Sequence, residues 1–346
     1  MNRFTTRPTS FSSISSSPSL LLLLLLLPRN LTTGRRRLST FTSRLFKLPP
    51  QPLQPPSSSH HNLPTFLAHA ARNNIPTTTT IYVGTHYEYV VQHALRASSF
   101  HLHRTGGRSD SGIDLLGTWH LPGHEHPLRV LVQCKAMKTK LGPNLVRELE
   151  GTLRRHAPAG WRTGSQVGVL VSTREATKGV RDALSRSEHP VLWMMVDYTG
   201  GLRQVLWNGR VERLGVAGGL GVEMRYSSPS PSASSFDRSL GDGEGGGGNG
   251  DGELKKEVVL TWDGEEMEHM DSVEERMARL EEQWMAVWGL DGNGDARYTR
   301  SDVLEAIEQL YPAEKPLLYG KGSCCLLSEE EKAKVRQLLD SRAWPA

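Results

Sequence analysis

A chain of 346 residues has room for one or two domains, and a composition of 37% hydrophobic and 23% charged residues, with 34 Gly and 20 Pro, is that of a soluble protein with unstructured parts. The net charge of +4 conceals three blocks: nine basic and no acidic residues before Glu88, 19 basic and 12 acidic from Glu88 to Tyr226, and 13 basic and 25 acidic beyond. The three cysteines, Cys134 and the adjacent Cys324 and Cys325, offer neither a disulfide framework nor zinc-ligand spacing, which excludes the disulfide-stapled and zinc-finger classes and fits a reducing compartment.

Residues 1–47 are rich in Arg, Ser, Thr and Leu and lack acid, the pattern of a mitochondrial transit peptide. Leu20–Leu27 is a run of eight leucines. It is too short for a bilayer, which needs roughly 20 apolar residues. A secretory signal could use such a run as its core, but Arg35–Arg37 and Arg44 follow it and no small-residue cleavage site is evident, so the mitochondrion is favoured. Residues 48–81 read as a Pro- and Ser-rich linker, stiffest at Pro49–Ser59.

Tyr82 opens the folded part. Thr85-x-x-Glu88 has the spacing of a capping box for a helix whose apolar stripe is Tyr87, Val90, Val91, Ala94 and Leu95. Phe100–Arg104 is the expected first strand, ending at Gly106-Gly107, where the backbone can bend tightly or approach a phosphate. Strands are expected at Ile113–Trp119 and Arg129–Ala136, joined by a loop that holds His120, His124 and His126. Pro122 and Pro127 argue for a plain hairpin there and against a zinc site. Asn144–His156 is an amphipathic helix on Leu145, Leu149 and Leu153, with Arg154, Arg155 and His156 at its basic end.

Val167–Val171 and Val191–Val196 are apolar runs that predict strands buried on both faces, and Ser172-x-x-Glu175 predicts a capped helix between them, running to about Ser187. Strand, helix and strand of this length imply a parallel pair with a crossover. Val205–Trp207, Asn208-Gly209 and Val211–Leu214 predict a closing hairpin with a type I′ turn. Residues 217–256 read as a Gly/Ser-rich linker, of lowest complexity at Ser227–Gly252. The remaining residues, 257–346, are expected to form an acidic helical extension: helices at Ser272–Trp288, up to Leu310, and Glu329–Ser341 behind Ser328. Asp291, Asn293, Asp295, Thr299 and Asp302 have the spacing of a calcium loop, but Ala296 and Asp302 stand where its glycine and bidentate glutamate belong, so a plain connection between helices is favoured.

The most informative stretch is Gly106–Ala136. Side chains alternate along a strand, so Gln133 and Lys135 share one face while Val132 and Cys134 take the other. Antiparallel pairing of the two strands brings Asp114 to the same place. By themselves these residues favour an Asp114–Lys135 salt bridge with Gln133 as a strand-edge amide. However, Gly-Ile-Asp-Leu followed a strand later by Val-Gln-Cys-Lys-Ala resembles the PD-(D/E)xK nuclease superfamily, and its QxK form is most similar to the Mrr-type (type IV) restriction endonucleases. The resemblance extends to Gly84–Leu95, Leu145–His156 and Val167–Leu184, covering about residues 83–214. With the basic leader in front, the whole is similar to the fungal mitochondrial proteins named as required for respiratory growth, seventh of that series.

This resemblance implies an α/β restriction endonuclease-like core over residues 82–216, a central mixed sheet flanked by helices. It implies binding of DNA, with metal-dependent phosphodiester hydrolysis in mitochondrial genome maintenance as the associated chemistry. Catalytic roles would fall to Asp114, Gln133, Lys135 and Glu88, the last of which has the alternative role of a helix cap. Mg²⁺ would be held by Asp114, Gln133 and the Cys134 backbone carbonyl, with Gly107, Arg108, Lys138 and Lys140 toward nucleic acid. A non-catalytic nucleic-acid-binding or assembly factor on the same fold is the competing expectation, since a fold does not fix a function. Its acidic extension would recruit a protein partner; a homodimer and the absence of stable membrane insertion are expected on either view.

Overall fold

The structure is a computed structural model. It describes residues 40–49, 59–105, 112–124, 126–155, 165–216, 218–227, 255–290, 298–311 and 327–341. The expected disordered leader before residue 40, the Gly-rich segment 228–254, the calcium-loop positions Asp291, Asn293 and Asp295, and Cys324 and Cys325 lie outside these.

Six strands form one mixed sheet in chain order: β1 (Phe100–Arg104), β2 (Leu115–Trp119), β3 (Leu128–Lys135), β4 (Gln166–Ser172), β5 (Val191–Val196) and β6 (Leu202–Trp207). β1, β2 and β3 pair antiparallel, β3, β4 and β5 pair parallel, and β6 returns antiparallel on β5. The alternation of β3 sorts its side chains as the sequence requires. Val130 and Val132 enter a core layer with Tyr87, Val90 and Val91 of helix α3 (Thr80–Ala94), while Leu131 enters the layer under α4 (Asn144–Arg155) and α5 (Lys178–Arg186). The parallel strands are buried on both faces, as their unbroken apolar runs demand. Gly117 in mid-β2 is required: a Cβ there would lie 1.9 Å from the His101 carbonyl oxygen of the neighbouring strand.

Several local expectations are overturned. Helix α3 begins five residues before Thr85, capped by Thr79, whose hydroxyl accepts from the Tyr82 amide; Thr85 is a buried mid-helix residue and Glu88 is no cap. Ser172 ends β4 instead of capping a helix, and Thr177 caps α5. Asn208-Gly209 makes no hairpin. Asn208 is buried, its amide donating to the Leu184, Ser187 and His189 carbonyls and its oxygen accepting from the Val191 and Val211 amides. That wiring starts a short helical turn, Gly209–Val211.

The supposed linkers also carry structure. In 48–81, α2 (Leu63–Arg72) is capped by Asn62 and packs Phe66 against Tyr82 and Tyr89 of α3. In 217–256, strand β7 (Leu220–Ser227) pairs antiparallel with β8 (Lys255–Trp262), to which β9 (Glu265–Glu266) adds. Val258 and Leu260 of β8 are buried in the core layer under α3, so the start of the stretch expected to be a helical extension is a strand of the core. Three helices follow: α6 (Met270–Val287), α7 (Arg300–Leu310) and α8 (Glu329–Ser341). Against α6 and α7 lies α1 (Thr40–Leu45), inside the stretch expected to be leader. No helix of the described residues is long and apolar enough to cross a membrane.

Candidate functional site

The site lies where β2 begins and β3 ends, next to the switch from antiparallel to parallel pairing. Asp114 stands just before β2. Its backbone carbonyl accepts from the Thr105 amide (3.0 Å) and its amide donates to the Val132 carbonyl (3.0 Å), tying it to both neighbouring strands. Its carboxylate Oδ2 accepts from the Cys134 amide at 2.6 Å. A side-chain oxygen thus serves as the β-ladder acceptor at this point.

Gln133 is 1% exposed. Its Nε2 donates to Glu148 Oε1 (2.7 Å), and its Oε1 is buried with no hydrogen-bond partner among the described residues. Such an atom forfeits roughly 1–3 kcal/mol of hydration unless something else satisfies it. Lys135 Nζ reaches the same Glu148 oxygen at 3.2 Å. Gly112, at φ +80°, packs over this pair; a Cβ there would stand 3.1 Å from Gln133 Nε2 and 3.8 Å from Glu148 Oε1. Sequence reading missed Glu148. It lies on the polar side of α4, 13 residues from Lys135, and only the fold brings it over the lysine.

On the other side of β3, Glu88 pairs with Arg104 of β1, and Arg104 lies over the Tyr89 ring. Burial works against the Arg104 charge, yet its pKa is raised, because Glu88 and, further off, Tyr89 and Asp114 hold the guanidinium charged. Cys134, half-buried, has its thiol pushed well up, first by burial and then by the charges of Asp114 and Glu88; it is no nucleophile. Glu88 pairs with Arg104, whose neighbour Thr105 is bonded to the Asp114 carbonyl, which places these charges close together.

Of the residues chosen from sequence, Gln133 and Lys135 are joined through Glu148, Asp114 is held by the Cys134 amide, and Glu88 pairs with Arg104 on the other side of β3. The expected Asp114–Lys135 salt bridge is replaced by Lys135–Glu148 as the lysine's ion pair. Lys138 and Lys140 are exposed on the connection from β3 to α4, and Gly107 and Arg108 lie outside the described residues. His120 is buried against the Thr118 hydroxyl (3.0 Å), and the His124 ring meets Trp262 edge-on at 5.6 Å. Asp302 accepts from the Thr299 amide (2.8 Å) as half of a capping box, which employs the carboxylate a calcium loop would need. Among the described residues no three His, Cys, Asp or Glu side chains are grouped to hold a metal.

Fold and site together define a mixed α/β protein in which a carboxylate, a buried amide and a lysine–glutamate pair gather at the mouth of two strands. Residues 79–125 and 121–217 match the family model described as "Required for respiratory growth protein 7". An uncharacterized mitochondrial protein of Schizosaccharomyces pombe is 33% identical over 179 residues, covering 50% of this chain and 69% of the relative. "Required for respiratory growth protein 7, mitochondrial" of Saccharomyces cerevisiae is 26% identical over 178 residues, covering 39% of this chain and 73% of the relative. The chain belongs to the required for respiratory growth protein 7 family. Both relatives are named mitochondrial, which supports a mitochondrial location. No solved structure matches.

Proposed function

We propose that this is a mitochondrial-matrix protein whose core, of restriction endonuclease-like type, binds DNA and hydrolyses its phosphodiester bonds in maintenance of the mitochondrial genome. The observation that carries the reading is the buried Gln133 Oε1, unpartnered among the described residues, on the side chain that shares Glu148 with Lys135 and one residue before the Cys134 amide that holds Asp114. An amide oxygen denied water is poised for a cation or for a group that a cation brings. The donor set is all oxygen, which suits Mg²⁺. Asp114, Gln133 Oε1 and the Cys134 carbonyl would hold it, and when bound it would supply charge neutralisation at the phosphate and a more acidic water.

The chain's own residues account for the rest. Lys135 leaves Glu148 and turns its ammonium to a phosphate oxygen, offsetting charge as it builds. Glu148, 47% exposed, keeps its bond to Gln133 Nε2 while the lysine turns away. Asp114 stays anchored through the Cys134 amide, which fixes the place of its carboxylate. Arg104, kept charged by Glu88, raises the local positive potential. Lys138 and Lys140 add exposed charge for the backbone of DNA.

A second reading has its own support. Asp114 already caps a backbone amide, and Glu148 already satisfies both Lys135 and Gln133 Nε2, so the cluster also serves as scaffold for a DNA-binding or assembly factor without cleavage. Incubation of the purified protein with supercoiled and linear DNA, with Mg²⁺ or with chelator, separates the two. Expected is nicking that needs Mg²⁺ and disappears in Lys135→Ala. Retention of DNA on a gel without cleavage at any Mg²⁺ concentration leaves the non-catalytic reading; no retention and no cleavage removes both.

A further inference from the structure

The basic, acid-free segment that reads as an import leader does not end at the fold's border; its last residues are inside the fold. Phe41, Leu45 and Phe46 are 6%, 0% and 3% exposed. Phe41 packs its ring on Trp284 of α6 at 5.5 Å, and the Arg300 guanidinium of α7 lies over the Phe41 ring, 4.8 Å from its centre. The Thr42 hydroxyl donates to Glu281 of α6 (2.7 Å) and Arg44 pairs with Glu308 of α7 (2.7 Å). Trp284 itself is fully buried. A leader that is discarded has no reason to fill a core or to match two acidic helices with its charges, whereas a helix whose apolar face is buried is stable only with the element that buries it.

We propose that Thr40–Leu48 is retained in the working protein as an internal strap that joins α6 to α7, and that proteolytic removal of the leader takes place upstream of Thr40. The apolar groove between these helices is then occupied by the protein's own chain. An outside partner drawn to the acidic extension would have to bind by charge, or displace the strap. The mitochondrial reading supplies the leader's removal, but the strap stands on packing alone; a protein found whole in another compartment would end the former and leave the latter.

Two measurements test it. Terminal peptides of the endogenous protein, mapped by mass spectrometry, should begin at or before Thr40; a mature chain that begins after Leu48 overturns the proposal. In the full-length protein, Phe41→Ser with Leu45→Ser should raise amide hydrogen exchange in α6 and α7 at least tenfold, and leave β3–β5 protected. Unchanged exchange in both helices also overturns it. Arg44→Glu, which reverses the charge facing Glu308 without opening the groove, should give a much smaller rise.

Discussion

Asp114 can be changed in two ways that separate its structural task from its chemical one. The Oδ2 to Cys134 amide contact, at 2.6 Å, is a hydrogen bond to an ionised acceptor, worth about 1.5–3 kcal/mol against about 0.5–1.5 for a neutral one. Asp114→Asn keeps a carbonyl oxygen for the Cys134 amide and loses the charge near Arg104, so it should cost about 1 kcal/mol. Asp114→Ala leaves the amide without its acceptor and should cost about 2 kcal/mol. For a folded unit of this size, 1 kcal/mol moves Tm by roughly 2–4 °C. Thermal melts should therefore fall by roughly 2–4 °C for Asn and 4–8 °C for Ala, while DNA cleavage at 25 °C disappears in both. Equal melting of Asn and Ala would show that the carboxamide cannot replace the acceptor, against the geometry. Cleavage that survives in a folded Asn variant would remove Asp114 from the chemistry.

Glu148→Ala should destabilise by about 1–3 kcal/mol in urea melts because it strands the buried Gln133 Nε2, whereas Lys135→Ala, which breaks only a partly exposed ion pair, should cost about 1 kcal/mol or less. Burial, and behind it the charge of Arg276, pushes the His120 pKa down to about 3. The unfolded chain therefore binds a proton that the folded chain refuses between about pH 6.5 and pH 3, and stability falls as pH falls through that window. Wild type should lose about 1.4 kcal/mol more than His120→Gln between pH 7.5 and 5.5, read by urea titration; parallel losses would show that His120 is not the group responsible. Gly117→Ala should yield little soluble protein, since its Cβ would meet the backbone of β1, which cannot step aside; normal expression and melting would refute the close approach.

The strands of the six-stranded sheet were legible because burial on one or both faces writes itself into alternation or into an unbroken apolar run; β7 and β8 were not. β3 is the clearest case, and its alternation alone put Gln133 and Lys135 on one face. Capping motifs were less trustworthy. Residues 77–80 are four threonines, and the one that caps, Thr79, carries no glutamate three positions on, while Thr85-x-x-Glu88 matches the motif in mid-helix. Glu88 is claimed instead by Arg104, a partner 16 residues away that no local pattern reveals. Asn208-Gly209 failed as a turn for the same reason: the Asn208 side chain is held by α5 and the start of β5. Glu148 could not be read at all, because a glutamate on the wet side of an amphipathic helix looks like solvent-facing charge. The mixed six-stranded sheet was thus largely visible in the sequence, and the wiring that positions its polar residues was not.

The pairing of β7 with β8 has a practical consequence. Ser227 and Lys255 are register partners, so the chain leaves the small sheet and re-enters it at neighbouring points. Whatever connects them is closed by the strands, and the entropic cost of closing it grows only with the logarithm of its length. This junction is a natural port for engineering: a fluorescent domain or affinity tag whose own termini lie close together can be spliced between 228 and 254 without asking either strand to shift register. It would leave residues 1–227 and 255–346 unchanged, so the tagged protein could be followed to the mitochondrion.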